Sequence, residues 1–159
     1  EWVNQLKKCM PHIVDKIIAL DRPLKKIGGT SPYRPDIIID FGHMYVILEF
    51  DENQHWFYVN EDGRNYIVIN NEMFIAKPVV MLRFNGDAIK GYLTKVSMRE
   101  RENIQYYILE RLLSQTLDIK HHCIFYICYS GHNPNITTTF AHKVIYSLQD
   151  VDSNPWLNE

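Results

Sequence analysis

Two short strings hold the side chains best suited to chemistry: Arg34-Pro35-Asp36, and Glu49-Phe50-Asp51-Glu52-Asn53-Gln54-His55. Carboxylates are ligands of hard divalent cations, and a histidine beside them can carry a proton near neutral pH. Two apolar runs link the strings, Asp36 to Phe41 and Met44 to Phe50, separated by Gly42-His43. Glycine at the first central position suits a type II′ turn, so the runs read as a β-hairpin. Asp36 then stands opposite Glu49, and Arg34 opposite Asp51. Alternation puts Asp36, Ile38, Asp40, Ile47, Glu49 and Asp51 on one face, and Ile37, Ile39, Phe41, Val46, Leu48 and Phe50 on a core face. Opposed β-carbons stand roughly 4.5–5.5 Å apart. Two carboxylates that close repel unless a cation lies between them or one keeps its proton. A hard cation such as Mg²⁺ fits the pair. The plainer alternative is a solvated acidic face, with Arg34 pairing to Asp51 or Asp36 and Asp40 solvated near the turn.

These strings, with Arg83-Phe84-Asn85 closing a later strand, resemble the PD-(D/E)xK nuclease superfamily, in particular divergent very-short-patch-repair-like endonuclease domains. The likeness runs by motif from about residue 13 to 85, and by element order to about 129. It implies a restriction-endonuclease-like mixed β-sheet flanked by helices. It also implies hydrolysis of DNA phosphodiester bonds that depends on Mg²⁺ or Mn²⁺, with RNA as a variant substrate. Asp36 and Glu49 would be ligands, with the backbone carbonyl of Phe50 as a third. The superfamily's lysine belongs two positions after the acid, where this chain has Asp51. Gln54 and His55 are the nearest groups to take its role, His55 as general base or water-orienting residue, and Asp51 would be a further ligand. Arg34, Arg64 and Arg83 are the candidates for phosphate contact, and salt bridges to neighbouring acids are their alternative. A reading from another class is a nuclease-like domain that binds nucleic acid or a protein partner without cutting. The missing lysine and the net charge of −2 favour it, while the facing acids and His55 favour cutting. Domains of this kind are similar to ones encoded by large DNA viruses and some microbes, which makes a viral source one expectation.

The elements that must position these groups follow from local pattern. Residues 1–10 read as a short helix stopped by Pro11. His12 to Ala19 is β-branched enough for a first strand, and a passage rich in proline and glycine follows. Asn60 to Phe74 reads as a helix with Tyr66, Ile69 and Met73 on one face, and Val79 to Phe84 as a strand. Ser97 to Leu117 is the clearest helix, opened by a Ser97–Glu100 capping box, with Ile104, Ile108 and Leu112 as its apolar stripe. Cys123 to Tyr129 is a further strand, and Phe140 to Leu148 a last apolar stretch. The expected order is α-β-β-β-α-β-α-β, a mixed α/β domain with its core over about residues 12–130.

Composition limits the partners. Of 159 residues, 17 are Lys or Arg and 19 Asp or Glu, a net charge of −2, so a non-specific nucleic-acid coat is excluded. No apolar run approaches the ~20 residues of a membrane helix, so no membrane partner is expected. Three cysteines are too few for a disulfide framework, which fits a reducing compartment, cytoplasm or nucleus. A zinc reading of His121, His122, Cys123, Cys128 and His132 fails because Cys123 and Cys128, five apart on a strand, would face opposite ways. The chain starts with Glu and no signal pattern follows, so it reads as a fragment of a longer protein.

Overall fold

The computed structural model describes residues 2–51, 60–86, 96–129 and 139–153. Helix α1 (Trp2–Cys9) ends just before Pro11, which opens a 3-10 turn over Pro11–Lys16. The strand expected over 12–19 is therefore shorter: β1 is Ile17–Leu20. Within the turn only Ile13 is buried, so the β-branched residues before Ile17 do not alternate across a sheet.

The hairpin has the register read from its turn. Strands β2 (Ile37–Asp40) and β3 (Tyr45–Asp51) are antiparallel, with Ile37 opposite Leu48 and Asp40 opposite Tyr45. The Phe41 N–H donates to the Met44 carbonyl at 3.0 Å. Gly42 takes φ +87°, a conformation that costs glycine little and other residues more. Asp40 is not simply solvated: its Oδ1 accepts from the Gly42 N–H at 2.7 Å and from Lys77 Nζ at 2.8 Å.

From β3 onward the strands run parallel. Helix α2 (Glu61–Ile69) leads to β4 (Val79–Asn85), and α3 (Met98–Leu113) to β5 (Cys123–Ile127). Strand β6 (Ala141–Ile145) pairs parallel with β5 and is followed by α4 (Leu148–Ser153). The result is a mixed α/β sheet of six strands in chain order, β1 to β6, flanked by helices. Strand β6 and helix α4 extend the expected order, because the apolar stretch after residue 139 completes the sheet. Leu6, Met10, Ile145 and Val151 are buried, so the core reaches past residues 12–130 at both ends.

A separate apolar core covers each face. On one, Leu6, Ile104, Ile108, Leu112 and Val151 pack on Ile37, Ile39, Val46, Leu48, Leu82 and Phe125. On the other, Val68, Ile69 and Phe74 pack on Ile38, Ile47, Met81, Ile124 and Tyr126. Strands β4 and β5 are buried at every residue, as parallel strands covered on both faces must be. The face carrying the hairpin acids is thus roofed by α2 rather than open to solvent. Among the described residues no helix is long and apolar enough to cross a membrane.

Candidate active site

Ligands of open α/β sheets gather beyond the carboxyl ends of parallel strands. Here those ends are Asp51, Asn85, Ile127 and Ile145, and the chain enters β2 beside the first of them through Asp36. The ladder ends at Ile37–Leu48 and the chain bends at Asp36; continued by one residue, its register would set Asp36 opposite Glu49. That pair has the parity of Asp40–Tyr45, where the Tyr45 N–H turns away to Pro78 O at 2.9 Å. In that continuation the two would form a non-hydrogen-bonded pair, the kind in which opposed Cα atoms approach to about 4.5 Å. Asp36 Oδ2 accepts from the Phe50 N–H at 2.7 Å, which ties one carboxylate to the backbone beside the other.

Proline shapes the site as well. In a strand the N–H and C=O of one residue point to the same side. The Phe50 carbonyl therefore turns with its N–H toward the Pro35–Asp36 segment. The residue across from Phe50 in that register is Pro35, which has no N–H to donate. A carbonyl oxygen is thus directed at the Asp36 side of the hairpin where the ladder offers it no donor.

Asp51 is placed differently from a ligand. It is fully buried, and both its oxygens are held by Arg83, Nε to Oδ2 at 2.7 Å and Nη2 to Oδ1 at 2.8 Å. The Tyr129 hydroxyl also donates to Oδ2. Arg83 stands next to Glu49 in the β3–β4 register, is 1% exposed and reaches Glu61 at 2.7 Å and Asn65 Oδ1. Such burial removes Arg83 from any surface that a phosphate backbone touches, so its expected phosphate contact gives way to the salt-bridge alternative. Arg34 does not pair with Asp51 or Asp36 either. It lies exposed and bonds Asp21 at 2.7 Å.

Arg64 comes to the site from α2. Its Nη1 donates to Glu61 at 3.0 Å, and its Nη2 lies 3.4 and 3.5 Å from the two Glu49 oxygens. The guanidinium sits over the Tyr33 ring, 5.8 Å from its centroid. Glu61, Arg64 and Asn65 share a helix face by their three- and four-residue spacing, and this polar face lies over the acids. Tyr66, expected to face the core, is instead 53% exposed. The helix also stops at Ile69, and a 3-10 turn at Glu72–Phe74 replaces its expected last turn.

Electrostatics follow from this crowding. Burial pushes the Glu49 carboxyl up to about 8; Arg64 and Arg83 oppose the rise, and the charges of Asp51 and Asp36 add to it. Burial also raises Asp36, against the pull of the Phe50 N–H. Burial disfavours the Arg83 charge, yet Asp51 and Glu61 hold its proton more tightly than usual. With all four carboxylates ionised, Asp36, Glu49, Asp51 and Glu61 exceed the two guanidiniums by two negative charges.

Among the described residues no three His, Cys, Asp or Glu side chains converge as a metal site. The oxygen donors that fit Mg²⁺ or Mn²⁺ are two carboxylates, Asp36 and Glu49, and the Phe50 carbonyl. Magnesium commonly takes one or two carboxylates, keeping water or substrate oxygens in its remaining positions. The excess of two negative charges that follows once Glu49 loses its proton also suits a divalent ion. Asp51 does not fit as a ligand while Arg83 holds both its oxygens. Gln54 and His55 lie outside the described residues. The other two residues of the later motif are structural: Phe84 stacks on Phe50, centroids 5.4 Å apart, and Asn85 Nδ2 donates to the Cys128 carbonyl at 2.9 Å. Cys123 and Cys128 face the same core rather than opposite sides, because β5 ends at Ile127 and Cys128 turns to φ +58°. Sequence reasoning missed Glu61, Asn65 and Tyr129, although the spacing of Glu61, Arg64 and Asn65 was available as a polar helix face. Comparison with protein-family models, with curated proteins and with solved structures found no match.

Proposed function

We propose that the chain is a restriction-endonuclease-like domain that hydrolyses DNA phosphodiester bonds with a divalent cation, Mg²⁺ or Mn²⁺. The observation that carries this reading is a half-buried Asp36, bonded to the Phe50 N–H, beside a buried Glu49 at the carboxyl end of the parallel strands, where ionising Glu49 would leave two negative charges in excess. Asp36, Glu49 and the Phe50 carbonyl would hold the ion. When bound, such an ion supplies a nucleophilic water at neutral pH and stabilises charge on the phosphate oxygens. The chain's own residues do the rest. Glu49 releases its proton to become a ligand, Asp36 is oriented by the Phe50 N–H, and the Asp51–Arg83 pair fixes the end of β3 against β4. The role in proton transfer belongs to His55, with Gln54 beside it, on the resemblance alone.

One observation favours the second reading, a nuclease-like domain that binds nucleic acid or a protein partner without cutting. Asp51 stands where the superfamily has lysine, and its carboxylate is bound to Arg83. Calorimetric titration with Mn²⁺ separates the readings when joined to a cleavage assay on duplex DNA. Wild type should bind Mn²⁺ and cut, Asp36→Asn should lose both, and Glu49→Ala should stay folded and lose cleavage. Mn²⁺ binding without cleavage supports the second reading, and cleavage that survives Glu49→Ala overturns the site.

A further inference from the structure

Arg64 is the described cation that touches a site carboxylate while keeping 19% of its side chain exposed; Arg83, by contrast, is 1% exposed. Its two halves are held unequally. Toward Glu61 the contact is an ordinary 3.0 Å ion pair within one helix. Toward Glu49 it is 3.4–3.5 Å, beyond the roughly 2.7–2.9 Å of a charge-assisted bond. Glu61 and the Tyr33 ring thus fix where the guanidinium sits, while its Nη2 edge shares Glu49 only loosely.

A divalent cation on Asp36 and Glu49 would change what Nη2 meets. It would take the place of the Glu49 proton, occupy the carboxylate oxygens and stand as a like charge near the guanidinium, since Arg64 acts electrostatically on both acids. The guanidinium would remain anchored through Glu61, with one edge unsatisfied at the mouth of the site. A planar guanidinium edge matches the non-bridging oxygens of a phosphodiester. We propose that Arg64 exchanges Glu49 for a backbone phosphate of the nucleic acid when the cation binds, so that cation and substrate bind cooperatively through one side chain. This rests on the cation site proposed above.

The test uses Ca²⁺ in place of Mg²⁺, to hold duplex DNA uncut, and measures duplex affinity by fluorescence anisotropy with and without the ion. Mn²⁺ affinity is measured by calorimetry on the same proteins, and thermal melting checks that each variant folds. For Arg64→Gln the expected result is duplex binding about ten-fold weaker in Ca²⁺, the loss of one charge-assisted bond, and less than about two-fold weaker without it. Its Mn²⁺ affinity should be equal to or tighter than that of wild type, because a competing cation is gone. Arg64→Lys should recover part of the Ca²⁺-dependent binding, keeping the charge without the fork. An equal loss with and without Ca²⁺, or a fall in Mn²⁺ affinity, would overturn the exchange. Wild type that binds no Mn²⁺ removes the cation site and this role together. Wild type that binds Mn²⁺ and duplex cooperatively, matched by Arg64→Gln, removes this role alone.

Discussion

Glu49 keeps its proton at neutral pH because burial raises its carboxyl to about 8. In the unfolded chain the same group ionises near 4.5. Between these values the folded state binds the extra proton, so stability is fullest at low pH and falls as pH rises through about 8. Urea unfolding at about pH 6 and pH 9 should show this fall in wild type and lose it in Glu49→Gln, a difference of ~1.4 kcal/mol or more. Saturating Mn²⁺ should stabilise wild type by ~2.7 kcal/mol at a hundred times its Kd and leave Glu49→Gln unchanged. Asp51→Asn would leave the buried Arg83 guanidinium short of the counter-ion that holds it through two bonds, and unfolding should show a loss of ~3–5 kcal/mol. Pro35 gives a third test. Pro35→Ala supplies an N–H opposite the Phe50 carbonyl and should weaken Mn²⁺ binding several-fold in calorimetry with little change in melting temperature.

Elements hold these residues in place through their ends. Strand β4 begins where the Val79 N–H donates to His122 Nδ1 at 2.9 Å, a bond that needs the neutral imidazole. Burial, aided by the neighbouring His121, lowers the His122 pKa below its ordinary 6.5. The stability this gives is present above pH 6.5 and lost as pH falls below it. His122→Asn should remove that acid-side component from the pH dependence of unfolding. The element scale is also where sequence was least legible. The hairpin could be read because Gly42 and the alternation fix its register together, and α3 because its capping box and stripe agree. Helix α2 was misread because its buried face is partly polar: Glu61 and Asn65 are buried with Val68 and Ile69, so periodicity of apolar residues pointed to Tyr66. The 3-10 turn at Pro11–Lys16 was hidden for a related reason, since β-branched residues carry no period when only one of them reaches the core. Of the site, the hairpin register that brings Asp36 beside the end of β3 was legible. The Asp51–Arg83 pair was not, because it depends on β4 lying parallel beside β3, which no local pattern encodes.

For the whole molecule, charge sets how it should meet a nucleic acid. The chain carries a net charge of −2, so its general field repels a polyanion. If the chain binds DNA as proposed, attraction would have to come from a few local cations and from a cation held at the acids. Among the described residues near the site these are Arg64, through the proposed exchange, and Arg34, whose Asp21 partner is exposed and easily surrendered. Each phosphate neutralised contributes roughly −0.9 to the slope of log K against log salt on duplex DNA. Two such contacts predict a slope of about −2, far shallower than the −6 to −9 of a protein that coats the backbone. Arg34→Ala and Arg64→Gln should each reduce the slope by about one, the second only with Ca²⁺ present. Anisotropy titrations between about 50 and 200 mM salt would check this. A steep slope that survives both substitutions would place the binding surface elsewhere on the molecule, and the carboxyl end of the sheet would no longer be where the duplex sits.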